Sequence, residues 1–385
     1  MERVLEIALA YPRFPHRESF FEGVLKYAND TNRNWSYITG LEALSMSVLD
    51  LVGWPGDGIL AALCTEEEAA CAAALPIPVV NISCALEQSP VPRCAADFVA
   101  MGKIAASHLL DKGFQSFAYY GLSDVGYSNQ RRRGFEERLA ETGVQPSVYL
   151  CKPTFRLGGS EWLQQNRQLA EWILSLNRPV GLFAVSDYRA RQVLDACRLV
   201  GLKVPEEVAI VGVDNERIIC DHVHPTLTSI ARNNLLEGYR AAELLDRMIQ
   251  GEDVPLETEP VSPLEIVERD STATFAVSDP RLRDALNYLH LHIEDPLSID
   301  EVTRHAGVSR RWLEYAFRDA LGETPYQYLR RQRLAHARRL LSSEPSAKIY
   351  NVAQRSGFTS AKQLTIAFHQ DFGMSPRDYR RAAQS

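Results

Sequence analysis

Leu297-Ser298-Ile299-Asp300-Glu301-Val302, Gly307-Val308-Ser309-Arg310-Arg311-Trp312-Leu313 and Phe317 form a pattern that returns as Ile349-Tyr350-Asn351-Val352-Ala353, Gly357-Phe358-Thr359-Ser360, Leu364 and Phe368. In each copy a helix-length segment with apolar residues at helical spacing meets a Gly-apolar-Ser/Thr turn, and a second helix follows. Glycine reaches φ > 0 without strain, and a serine just beyond it can cap the next helix through its hydroxyl. The reading is a helix-turn-helix written twice, which implies double-stranded DNA as partner.

Ile299, Val302, Ala306, Val308, Leu313, Ala316 and Phe317 fall where they bury a small core, as do Ile349, Val352, Ala353, Phe358, Leu364 and Phe368. Arg310, Arg311, Trp312, Glu314 and Tyr315 then project toward a groove from the first recognition helix, and Ala361, Lys362, Gln363, Thr365 and Ile366 from the second. Arginine can bind guanine bidentately, glutamate can accept from cytosine, Gln363 can read adenine, and Ala361 or Ile366 can touch a thymine methyl. Phosphate contact or plain exposure is open for each position, because at least half of such hydrogen bonds go to the DNA backbone. Between the copies, Tyr328, Leu329, Leu334, Ala337, Leu340 and Leu341 make an apolar stripe among arginines. This predicts a linking helix that sets the two motifs about one DNA turn, roughly 34 Å, apart. Its arginines are either a solvated face or phosphate clamps.

A chain of 385 residues, 45% hydrophobic and 24% charged, predicts two or three globular domains. The net charge of −7 hides an asymmetry: from Pro280 onward 17 Lys and Arg stand against 11 Asp and Glu, while the rest carries 25 against 38. A basic tail suits phosphate contacts, and an acidic body is repelled by DNA. The seven cysteines lie between Cys64 and Cys220 with no CxxC pair, which predicts free thiols in a reducing compartment. Neither a signal peptide nor an apolar run of membrane length is legible. The expectation is a bacterial cytoplasmic protein, on the nucleoid when DNA-bound, with no membrane partner. Asp221, His222 and His224 are close in sequence but end in a Pro-containing loop without a fourth ligand, so no metal is expected. No paired acid and base, nucleophile or cofactor motif argues for an enzyme. A DNA-binding protein that ignores small molecules is a rival reading.

Ahead of the tail, short apolar runs alternate with helical patterns. Strands are expected at Val4 to Ala10, 58–61, 79–82, 117–121, 180–185 and 208–213, and helices at 97–112, 130–142, 162–176, 188–200 and 235–250. Gly113, Gly143, Gly201 and Gly251 are plausible stops for four of these helices. Alternation of this kind predicts parallel sheets covered on both faces, with ligands beyond the carboxyl ends of the strands. After a final strand the run Asp270-Ser271-Thr272-Ala273-Thr274 reads as polar linker. The expected organisation is a body over 1–271, a linker over 272–279 and an all-α tail over 280–385.

Asp97-Phe98-Val99-Ala100-Met101-Gly102, Ala105, His108-Leu109-Leu110, Gly113-Phe114, Gln130-Arg131-Arg132-Arg133-Gly134-Phe135, Ala184-Val185-Ser186-Asp187, Val211-Gly212-Val213-Asp214-Asn215-Glu216 and Pro225-Thr226-Leu227-Thr228-Ser229-Ile230 occur in this order. Together they resemble the effector domains of the LacI/GalR family. The resemblance implies two doubly wound α/β lobes of periplasmic-binding-protein type, closing on a small sugar, and a side-by-side homodimer. It implies ligand contacts at Arg131, Asp214 and Asp187, and ring-stacking or hydroxyl-binding roles for Tyr11, Phe14, His16, Glu18 and Phe20. Helix capping by the two aspartates, a solvated face for Arg131 to Arg133 and packing for the aromatics are the competing readings. Phe368, Phe372-Gly373-Met374-Ser375-Pro376 and Tyr379-Arg380 resemble the AraC/XylS family of double helix-turn-helix domains, which implies activation through RNA polymerase. LacI-type regulators carry their DNA-binding module ahead of the body, whereas here it follows. That order of parts is similar to a family of pentose-operon regulators and implies D-xylose as effector.

Overall fold

The apolar runs of the body become parallel strands in the computed structural model, which describes residues 3–11, 17–39, 46–153, 160–277, 279–344 and 346–382. The chain divides into two compact units, Met1–Leu109 with Gln115–Ala273, and Leu110–Phe114 with Thr274–Ser385.

The first unit holds strands β1 (Leu5–Ala10), β2 (Trp35–Ile38), β3 (Gly58–Ala61), β4 (Val79–Asn81), β5 (Ser116–Leu122), β6 (Ser147–Cys151), β7 (Val180–Ala184), β8 (Val208–Val213), β9 (Thr228–Ile230) and β10 (Ile266–Val267). Its helices are α1 (Arg17–Asp30), α2 (Glu66–Ala74), α3 (Phe98–Asp111), α4 (Gly126–Ala140), α5 (Ser160–Ser175), α6 (Asp187–Leu199), α7 (Arg217–Cys220) and α8 (Asn234–Ile249). Two sheets form, in the orders β2-β1-β3-β4 and β10-β9-β8-β7-β5-β6. All pairings are parallel except β10 with β9, which is antiparallel. β3, β7 and β8 are buried along their whole lengths, as strands covered on both faces must be. The chain passes between the lobes after β4, after β9 and before β10. Arg93, itself buried, ties the crossing segments: it donates to Glu257 at 2.6 Å and to the Leu86 and Glu87 carbonyls at 3.0 Å.

Helix packing in both lobes relies on reciprocal glycines. A Cβ on Gly23 of α1 would fall 2.0 Å from the Leu235 carbonyl oxygen, and one on Gly238 of α8 would fall 1.9 Å from that of Phe20. In the second lobe, Gly102 of α3 faces the Arg131 carbonyl at 2.1 Å and Gly134 of α4 faces that of Val99 at 2.0 Å. Only glycine permits backbone approach of this kind.

The four expected helix stops, Gly113, Gly143, Gly201 and Gly251, all have positive φ, from 75° to 81°. The linker expected from residue 272 begins in the core instead. Ser271 and Thr272 are fully buried, with Ser271 Oγ donating to the Ile210 carbonyl at 2.6 Å and the Thr272 and Thr228 hydroxyls 2.8 Å apart. Hydroxyls that read as solvent-facing are stitched to β8 and β9.

The tail comprises α9 (Pro280–Leu291), α10 (Ile299–His305), α11 (Arg310–Leu321), α12 (Pro325–Ser343), α13 (Ile349–Arg355), α14 (Ala361–Phe372) and α15 (Pro376–Ala382). It has two small cores, one around Val302, Leu313 and Phe317 and the other around Val352, Leu364 and Phe368. The apolar stripe of α12 is shared, with Tyr328 and Leu329 in the first core and Leu334, Ala337, Leu340 and Leu341 in the second. Gly307 and Gly357 occupy the turns with φ of 63° and 74°. Ser309 and Ser360 accept from the amides of Trp312 and Gln363, each at 3.2 Å, and so start α11 and α14.

Candidate functional site

The carboxyl ends of β7, β8 and β9 gather a small cluster of charged residues, Asp187, Asp214 and Arg232. Of the three successive arginines on α4, Arg131 turns inward and is 2% exposed, while Arg132 pairs with Glu136 at 2.7 Å and Arg133 stays largely in solvent. The close α3–α4 crossing selects that face, since the Arg131 backbone itself lies against Gly102. Arg131 Nη1 donates to the Val185 carbonyl, and Nη2 donates to Asp214 Oδ1 at 3.3 Å. Its guanidinium lies 5.0 Å from the Phe98 ring centroid and 5.4 Å from that of Tyr127, so two neighbouring aromatic rings flank the charge.

Asp214 leaves β8 with φ of 104°, and Asn215 follows at 51°. Such values are uncommon for residues other than glycine, and asparagine tolerates them best. Arg232, on the segment between β9 and α8, completes the group. It binds Glu237 through two nitrogens, stands 3.8 Å from Asp214 Oδ1, and lies 5.6 Å from the Phe98 centroid. Burial acts to discharge this guanidinium, but the Glu237 and Asp214 carboxylates outweigh it and raise its pKa. Sequence reading missed Arg232 because the matched segment ended at Ile230. The available signal was an arginine two residues past a short strand, with Glu237 one helical turn into α8.

Arg131 and Asp214 are thus brought together, and Asp187 is set apart from them. Expected as a ligand contact or a cap, it is not the cap, which is Ser186, and it is 1% exposed with both oxygens engaged by protein. Ser229 Oγ donates to its Oδ1 at 2.6 Å, and the Glu216 amide donates to its Oδ2 at 2.7 Å. Burial, followed by the nearby Asp214 charge, pushes its pKa up to about 7 against those hydrogen bonds. In the first lobe Tyr11 and Phe20 are buried edge-to-face, ring centroids 5.8 Å apart, within the core beside β1. Glu18 is exposed on α1. Phe14 and His16 lie outside the described residues. Asp221, considered for a metal, is engaged by Arg269 at 2.9 Å and Arg217 at 3.2 Å.

In the tail, Arg310, Arg311 and Tyr315 of α11 are exposed, as are Lys362, Gln363, Thr365 and Ile366 of α14, while Ala361 and Glu314 are half-buried. Arg310 lies 3.4 Å from Glu314 and 3.5 Å from Asp300. Trp312 departs from its expected place. It packs partly into the first core with the Arg281 guanidinium 4.4 Å from its ring, because its large apolar face is better covered than extended into water. Gln363 is held through its Oε1 by the Thr359 hydroxyl at 2.7 Å. Four of the five arginines of α12 bond to other parts of the tail. Arg330 binds Asp371 at 2.7 Å, Arg331 binds Glu323 at 2.6 Å, Arg333 donates to the Ile293 and Asp295 carbonyls at 3.2 and 2.6 Å, and Arg338 reaches the Tyr379 hydroxyl at 3.3 Å. These bonds brace the tail from within, while Arg338 and Arg339 also stand exposed.

Comparison with known proteins matches a periplasmic binding protein-like domain to residues 106–272 and a helix-turn-helix domain to residues 302–382. Over 366 residues, 93% of this chain and 92% of the relative, the chain is 30% identical to the xylose operon regulatory protein of Escherichia coli strain K12. It is 30% identical over 311 residues, 79% of each protein, to the xylose operon regulatory protein of Haemophilus influenzae. A solved structure described as the xylose-binding transcription activator xylR covers 99% of both chains with a TM-score of 0.63 at 28% identity.

Proposed function

The chain belongs to the family of xylose operon regulatory proteins, and from that premise we propose that its effector is D-xylose, bound at the Arg131–Asp214 cluster. It is a sugar-responsive, sequence-specific DNA-binding regulator of transcription and not an enzyme. One observation carries the ligand reading: a buried arginine and a strand-end carboxylate share one hydrogen bond beside two aromatic rings. The rigid guanidinium fork donates to neighbouring oxygens, the carboxylate accepts from hydroxyls, and the rings offer faces to C–H groups. Arg131 and Arg232 are balanced by Asp214 and Glu237, which suits a neutral polyol better than a sugar acid or phosphate.

Sugar closes the lobes of one body, and a homodimer then presents its two tails in a different arrangement. A ligand shifts that equilibrium only by its difference in affinity for the two states. Arg310, Arg311 and Tyr315 read bases from α11, with Glu314 orienting Arg310, and Lys362, Gln363, Thr365 and Ile366 line α14 against the next major-groove segment. Contact of the tail with RNA polymerase makes the DNA-bound, sugar-bound form an activator. Work in the cytoplasm fits the finding that no helix among the described residues is long and apolar enough to cross a membrane. The test is calorimetry of the purified protein against D-xylose, L-arabinose, D-ribose, D-glucose and a uronic acid, with operator affinity and transcription measured in parallel. Saturable binding of D-xylose without turnover, with altered operator affinity, is expected. Equal DNA affinity and equal transcription with and without every pentose sink the proposal.

A further inference from the structure

We propose that Asp187 is a positioning residue for sugar recognition: without touching the sugar, it clamps the strained turn that presents Asp214 to Arg131. The inference rests on the ligand reading given above, and its support is geometric. The turn after β8 contains Asp214 and Asn215 in succession at positive φ, a pair of conformations that L side chains resist unless the surroundings impose them. Two backbone amides of that turn are held from below. The Glu216 amide donates directly to Asp187 Oδ2 at 2.7 Å. The Asn215 amide donates to Ser229 Oγ at 3.0 Å, and that hydroxyl donates onward to Asp187 Oδ1 at 2.6 Å. A single carboxyl group on α6 therefore fixes both peptides that follow Asp214, one of them through a serine on β9.

The neighbouring sequence accommodates this clamp. A Cβ on Gly212 of β8 would lie 2.2 Å from Asp187 Oδ1, so the carboxyl occupies the space that any side chain at 212 would fill. Asp187 also lies fully inside the protein, which removes it from direct sugar contact. The segment Val211-Gly212-Val213-Asp214-Asn215-Glu216 thus divides its labour: Gly212 makes room, Asp214 is presented, and the Asn215 and Glu216 amides are the handles by which Asp187 holds it.

The experiment compares wild type with Asp187→Ala, Asp187→Asn and Ser229→Ala in the full chain, by hydrogen exchange of the 212–218 segment and by calorimetry with D-xylose. Asp187→Ala is expected to speed exchange of the Glu216 and Asn215 amides while leaving β7 amides protected, and to weaken D-xylose binding about tenfold, the size of one lost buried hydrogen bond. Asp187→Asn can still accept from the Glu216 amide and donate to Ser229, so it is expected to restore both readouts. Ser229→Ala should loosen Asn215 alone and weaken binding less, and it provides the test if Asp187→Ala does not fold. Weakened binding with unchanged exchange of the turn overturns the inference, as does a loosened turn with unchanged affinity or an asparagine variant that rescues neither. If wild type binds no sugar, the ligand reading fails, whereas the exchange measurements still decide whether Asp187 clamps the turn.

Discussion

Arg333 on α12 and Arg310 on α11 belong to one tail and to runs of sequence that look equally basic, yet they are used in opposite ways. Arg333 spends its donors on the Ile293 and Asp295 carbonyls, while Arg310 stands 64% exposed with only long contacts to Glu314 and Asp300. Arg131 of the body resembles Arg333 in being enclosed and bonded on two sides. Enclosed charges define a geometry, and open ones remain available to an incoming phosphate or base. Counting arginines therefore does not locate a DNA-binding face, whereas asking which guanidinium groups already have acceptors does.

The largest effect expected from this contrast concerns an enclosed charge without a cation, Asp187. Its unfolded pKa is near 3.8 and its folded pKa about 7, so the stabilisation of its neutral form is complete below about 4 and is lost as pH rises to about 7. Urea melts should show Asp187→Asn gaining on wild type by roughly 4 kcal/mol across that window and no further above it. A difference that does not change with pH would break the assignment of Asp187 as an enclosed, uncompensated acid. Next, Arg131→Ala leaves the Val185 carbonyl without this donor and Asp214 with only the longer contact to Arg232, and should cost about 3 kcal/mol, read as a D-xylose affinity more than a hundredfold weaker. Arg131→Lys should recover little, because a point charge cannot make both bonds.

Arg333→Ala should destabilise the tail by about 2 kcal/mol, seen as faster hydrogen exchange in α9 to α12, and weaken all DNA sequences alike. The smallest effect belongs to the open group. Arg310→Ala or Arg311→Ala should leave tail exchange unchanged and cost about 1–2 kcal/mol on the operator alone, relaxing sequence preference more than Lys362→Ala does. Uniform weakening on every sequence, measured by titration at fixed salt, would show that these two arginines hold phosphate only.

The sequence makes legible whatever repeats or is conformationally singular. The doubled turn, the stripe on α12 and the fully buried β3, β7 and β8 follow from spacing, and the glycine stops follow from the positive φ they adopt. β2 and β6 escape such reading because they are edge strands with mixed exposure, and β9 is only three residues long. Partners chosen across long sequence distances are also hidden. Nothing local says that Arg232 will meet Asp214, that Ser271 will bond to Ile210, or that Trp312 will be covered by Arg281. The pairing of Arg131 on α4 with Asp214 at the end of β8 joins two residues that the sequence singles out, whereas the bonds of Asp187 are hidden from it, because its partners come from β9 and from the turn after β8.

The reciprocal glycines of α1 with α8 and of α3 with α4 have a mechanical consequence. Helices that touch backbone to backbone cannot slide by rotamer adjustment, so each lobe behaves as a stiff leaf and compliance is left to the three strands of chain at the hinge. The Arg131 carbonyl is itself one of those contact points. An alanine at Gly102 or Gly134 would therefore tilt the leaf that carries Arg131, altering the angle at which the two leaves meet even though neither glycine has a side chain to offer a ligand.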